Sequence, residues 1–110
     1  MTETALSART DIADKALVRS FSYINGKWHT AANNETFPIC DPADGAELGH
    51  VASLSAAESS AAVDSAQAAF PAWAGLLPQE RAAILLRWFE LQLEHKDDLA
   101  RIMVLEQGKP

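Results

Sequence analysis

The chain has 110 residues, 48% hydrophobic and 22% charged, a globular balance that excludes disorder of the whole. Its formal net charge is −6, with nine Lys and Arg scattered among fifteen Asp and Glu, which argues against nucleic acid or an anionic membrane surface as partner. Cys40 is the only cysteine, so no intrachain disulfide forms. The first 20 residues lack the apolar core of a secretion signal, and Glu3, Asp11 and Asp14 make them too acidic for a transit peptide. No stretch approaches the roughly 20 apolar residues of a bilayer span, and cytoplasm is the expected compartment.

Residues 1–20 read as a polar, alanine-rich leader, with Ile12, Ala16, Leu17 and Arg19 on a short helical face that needs a surface to dock on. From Phe21 the pattern changes. Asn25-Gly26, flanked by Phe21, Tyr23 and Trp28, predicts a type I′ hairpin with strands at about 21–24 and 27–30, because both residues tolerate positive φ. A second extended pair is predicted at 36–40 and 47–54. It is joined by Asp41-Pro42-Ala43-Asp44-Gly45, where proline presets φ, aspartate bonds the backbone locally and glycine supplies the left-handed position.

Ser55-Ala-Ala-Glu58 has the form of a capping box and opens a helix whose apolar stripe is Val63, Ala66, Phe70 and Trp73. Pro71 is expected to end or kink that helix. Pro78, at a plausible first helical position, starts a second helix to about His95. Its Ile84, Leu85, Leu86, Trp88, Phe89, Leu91 and Leu93 cover more than one face, the mark of a helix sandwiched between layers. A third helix, from about Lys96 to Gln107, carries Leu99, Ile102, Met103 and Leu105, with Asp97 and Arg101 on its wet side. Gly108 suits a left-handed cap, and Pro110 cannot continue the helix.

No residue is assigned a catalytic, cofactor-binding or metal-binding role. Cys40 adjoins a carboxylate, Asp41, rather than a base, and reads as a structural thiol. His29, His50 and His95 have no companions at metal-ligand spacing. Asp41, Asp44 and Glu47 are explained by the turn, and the run Glu94, Asp97, Asp98 by a solvated helix start. The glycines at 26, 45, 49, 75 and 108 are single and form no phosphate-cradling loop. Trp73, Trp88 and Phe89 are expected in a core.

Five segments carry a resemblance: Tyr23-Ile24-Asn25-Gly26-Lys27-Trp28, Asp41-Pro42-Ala43-Asp44-Gly45, Ala72-Trp73, Glu80-Arg81 and Leu105-Glu106-Gln107-Gly108-Lys109-Pro110. In order and spacing they resemble the amino-terminal region of NAD(P)-dependent aldehyde dehydrogenases, over about residues 21–110. The stretch from Glu80, with Trp88-Phe89, His95 and Asp97-Asp98-Leu99-Ala100-Arg101, is most similar to the succinate-semialdehyde dehydrogenases. Asp41 stands where many members carry asparagine, which serves the same turn.

The resemblance implies an α/β fold: residues 21–110 as an incomplete amino-terminal portion of the NAD(P)-binding domain, two hairpin-like units followed by three helices that pack on its sheet. It implies a parent enzyme, a homo-oligomer, in which a cysteine attacks an aldehyde, hydride leaves to NAD or NADP and a glutamate-activated water releases the acid. Family members are several times longer, and the residues for those steps lie beyond this stretch. The expected partner is therefore the remainder of the parent polypeptide, and the 110 residues alone are expected to bind no cofactor and to be inactive. From the residues alone a second reading stands beside this one: a small non-catalytic module that docks through its apolar helix faces.

Overall fold

A computed structural model describes residues 12–110. The order is a single 3-10 turn at Lys15–Leu17, then strands β1 (Ser22–Ile24), β2 (Lys27–His29), β3 (Thr36–Cys40) and β4 (Glu47–Ala52). Helices α1 (Ala56–Ala74), α2 (Pro78–Glu94) and α3 (Lys96–Gln107) follow. The α/β reading of two antiparallel hairpins followed by three helices is the observed architecture.

The turns form for the reasons local chemistry supplies. Asn25 and Gly26 have φ of 50° and 76°, so the β1–β2 connection needs two left-handed residues and has them. In the β3–β4 connection the Asp41 carboxylate accepts the Ala43 N–H at 2.8 Å, Asp44 accepts that of Ala46 at 2.9 Å, and Gly45 takes φ 72°. The strands are shorter than their apolar runs: β1 starts at Ser22, β2 stops at His29, and β4 stops at Ala52 instead of reaching Leu54. Beyond Ala52 the backbone leaves the ladder, with the Ser53 N–H bonding the Glu35 carbonyl at 2.9 Å.

The β3–β4 register skips Leu48, since Ile39 pairs with Gly49 and Cys40 with Glu47. A bulge bends its strand and re-aims one side chain. Here that side chain is Leu48, the large residue with no exposed surface, and it centres a small core with Ile12 and Val18. Ile39, Ile102 and Leu105 pack partly buried against it.

Residues 1–11 of the leader lie outside the described residues; from Ile12 to Ser20 its one helical element is the 3-10 turn. Asp14 caps the single 3-10 turn by accepting the Ala16 N–H at 3.0 Å. The buried residues are Ile12 and Val18, while Ala16 and Arg19 are exposed, so the segment docks by its two ends rather than by a helical face.

Pro71 does not end α1, which runs on to Ala74. It lies in the last turn, where the missing N–H costs one internal bond and too little helix remains to be broken. Closure comes from the Gly75 N–H on the Pro71 carbonyl at 2.9 Å and from Arg81, whose guanidinium donates to the carbonyls of Ala74 and Leu76. Pro78 sits in the first turn of α2 as its chemistry suggests. Gly108 caps α3 at φ 70°, its N–H on the Val104 carbonyl.

Candidate functional site

Among the described residues, no group of three or more His, Cys, Asp or Glu side chains could hold a metal ion. Cys40 is exposed at the end of β3. His50 faces Glu47 at 3.4 Å on the surface, and His95 supplies the corner between α2 and α3, its N–H on the Leu91 carbonyl at 3.1 Å. His29 lies on β2, His50 on β4 and His95 between α2 and α3. Two shallow grooves of about 180 and 200 Å³ run between the β1–β2 hairpin and α1, lined by Tyr23, Ile24, Ala62 and Ala66 among others. Both fall short of the roughly 300–1,000 Å³ of an ordinary ligand site.

A dinucleotide needs a helix N-terminus whose free amides meet its pyrophosphate. At the N-termini of α1 and α2 a carboxylate of the chain already holds the cap amide, and α3, which has no side-chain cap, carries two aspartates in its first turn. In α1, Ser55 accepts the Glu58 N–H at 3.2 Å and Glu58 reaches back to the Ser55 N–H at 2.7 Å, so the capping box is complete. Glu58 also accepts the Ala32 N–H at 2.7 Å, which ties the loop after β2 to the helix. Those amides hold its carboxyl below the usual range, Ser55 contributing most. In α2, Glu80 accepts the Leu77 N–H at 2.7 Å, half of the same device. In α3, Asp97 and Asp98 occupy the first turn. Negative charge at each of these ends disfavours a phosphate there.

Asp98 corrects the expectation of a solvated acidic run. It is buried, and its two carboxylate oxygens accept the N–H groups of Ala13 and Asp14 at 2.9 and 3.0 Å. The Asp14 amide, then that of Ala13, holds its carboxyl below the usual aspartate range. The Arg101 guanidinium lies 3.2 Å from the same carboxylate.

The feature with functional weight is an uncovered surface. Neither α1 nor α2 contains a buried residue. Trp88 is 61% exposed, and Ile84, Leu85, Leu86, Phe89 and Leu93 are also open, as are Val63 and Phe70 on α1. The expectation that Trp73, Trp88 and Phe89 lie in a core is not met within these residues. Their helical spacing marks them for burial, yet no described segment covers them. Contiguous apolar surface of this kind normally marks an interface. At the other edge Tyr23 and Trp28 pair across the hairpin with ring centroids 5.0 Å apart, and Arg19 lies 4.4 Å over the Trp28 ring.

Residues 28–110 match the profile of the aldehyde dehydrogenase family. The chain belongs to that family. Succinate-semialdehyde dehydrogenase (NADP(+)) GabD of Escherichia coli K12 is 50% identical over 97 residues, 88% of this chain and 20% of that protein. The glutarate-semialdehyde dehydrogenase of Pseudomonas putida KT2440 is 46% identical over 99 residues, 90% of this chain and 21% of that enzyme. Among solved structures, the succinate-semialdehyde dehydrogenase of Burkholderia pseudomallei superposes with a TM-score of 0.86 at 46% identity, covering 92% of this chain and 21% of its own. The chain thus spans about a fifth of the length of these aldehyde dehydrogenases.

Three contacts that organise the structure had no sequence signal strong enough to find: Glu58 to Ala32, Arg81 to the end of α1, and Asp98 to the leader. The Ser-x-x-Glu motif marked Glu58 as a cap, but the same oxygen set also reaches across 26 residues. No helix among the described residues is long and apolar enough to cross a membrane.

Proposed function

We propose that these residues are the amino-terminal portion of an NAD(P)-dependent aldehyde dehydrogenase of the semialdehyde type. The whole enzyme, a cytoplasmic homo-oligomer, oxidises a short aldehyde to its carboxylic acid, with succinate semialdehyde as the leading substrate. The observation that carries this reading is identity of 46–50% across almost the whole chain to succinate- and glutarate-semialdehyde dehydrogenases. A further relative, 41% identical, is named a 3-sulfolactaldehyde dehydrogenase. All three names denote short aldehydes with an anionic group at the far end, and that is the substrate class we assign.

In this reading residues 12–110 contribute scaffold, and cofactor binding and catalysis fall to the rest of the polypeptide. The open faces of α1 and α2 are the seat of that remainder. Their exposure supports the reading, because a helix apolar on more than one face needs cover on each.

The test is to express the whole reading frame that contains these codons and to follow reduction of NAD or NADP with succinate semialdehyde. Rapid turnover by that product, with none by the 110-residue chain alone, is the expected result. Reduction by the 110-residue chain above a buffer control overturns the assignment of scaffold, and an inactive whole product overturns the assignment of substrate.

A further inference from the structure

The segment 12–18 occupies the space between the β3–β4 hairpin and α3. Ile12 and Val18 are 4% and 7% exposed and pack with Leu48 from β4, while Ile102 and Leu105 come to the same cluster from α3. Between those two apolar contacts, Ala13 and Asp14 give their N–H groups to the two oxygens of Asp98, across 85 and 84 residues of sequence. Just beyond the far end of α3, a Cβ added to Gly108 would come 3.0 Å from Pro42 in the β3–β4 connection.

We infer that residues 12–18 are a strap that holds α3 on the β3–β4 hairpin and so sets the direction in which the chain leaves α3. The hairpin by itself offers α3 only Leu48 and Ile39 from this cluster. The strap adds two buried aliphatic side chains and a pair of charge-assisted hydrogen bonds, which are stronger than neutral ones. The clasp also depends on geometry. Two successive backbone amides meet the two oxygens of one carboxylate, and the side chain that presents them is fixed in the first turn of α3. Arg101 approaches the same carboxylate with its own side chain half exposed, neutralising the charge without replacing either amide.

The inference goes beyond the dehydrogenase reading and does not rest on it, since it concerns only the described residues. It is tested by residue-resolved amide hydrogen exchange on the whole reading-frame product that contains these residues and on two variants of it. Asp98→Ala removes the clasp from the α3 side; Ile12→Ala weakens the strap without altering the first turn of α3 or the charge there. Wild-type Ala13 and Asp14 amides are expected to be protected. Each variant is expected to speed exchange at both amides and along α3 by about tenfold or more, while α1 amides stay within about twofold of wild type. Three results overturn the strap: unprotected Ala13 and Asp14 amides in the wild type, strap amides released while α3 keeps its protection, or uniform acceleration across all elements. Because Ile12→Ala leaves the first turn of α3 intact, a loss confined to Asp98→Ala assigns the effect to the charge at the start of the helix and also overturns it.

Discussion

Replacing Leu48 and Leu85 by alanine is the sharpest test of where this chain has a core. The two substitutions remove the same atoms, but Leu48 has no exposed surface and Leu85 is 51% exposed. Losing three buried carbons forfeits about 2.4 kcal/mol at about 0.8 kcal/mol each. The residual cavity adds to that, within an observed range of about 2–5 kcal/mol for leucine to alanine. Ile39, Ile102 and Leu105 around Leu48 are only partly buried and can settle into the space, which places the cost near 3 kcal/mol. Leu85→Ala is expected to cost less than about 0.5 kcal/mol in the 110-residue chain, as for a surface change. Urea unfolding followed by far-ultraviolet circular dichroism measures both. With a slope of about 1.5 kcal/mol/M, Leu48→Ala shifts the midpoint down by about 2 M and Leu85→Ala by less than about 0.4 M. If the rest of the polypeptide sits on α2 as proposed, the second value should rise to that of a core position in the whole protein. Equal costs in the short chain would refute the argument, since Leu85 would then already be buried in solution. A Leu48→Ala cost below about 1 kcal/mol would show that the bulge does not aim its side chain into a packed core.

Other outcomes follow from single contacts. Gly108→Ala places a Cβ 3.0 Å from Pro42 on a residue at φ 70°, and thermal melts should show a loss of about 1–2 kcal/mol. Ser55→Ala removes the acceptor for the Glu58 N–H and should cost about 1 kcal/mol, read as lost helicity and a lower midpoint. The carboxyls of Asp98 and Glu58 are both held below their ordinary values in the folded state. Their contribution to stability is therefore complete above the unfolded-state values and is lost as pH falls through the folded ones, starting below about pH 4. Acid titration of the Ala13 and Asp14 amide protection should follow that sign, and Asp98→Asn should flatten it. Protection that rises on acidification would contradict the hydrogen-bonded geometry.

Much of this protein was legible residue by residue. Asn25-Gly26 dictates a left-handed turn, Asp41 through Gly45 closes its own loop, Ser55 and Glu58 cap one helix, Pro78 starts another and Gly108 stops the third. Each of these is decided within a few residues, by a φ preference or a side chain that reaches its own backbone, so local sequence determines it. The apolar faces of α1 and α2 were legible too, as surface that needs a cover. Tertiary structure decided the rest. Pro71 is harmless because only the last turn follows it, and Arg81 serves the carbonyls beyond. Leu48, rather than any neighbour, becomes the centre of the core because the register slips by one residue. Asp98 has the local sequence of a solvated carboxylate and is buried because two amides from the start of the chain arrive to satisfy it. No local rule contains that contact: a charge survives burial only where its hydrogen-bond partners are brought to it, and here only folding brings them.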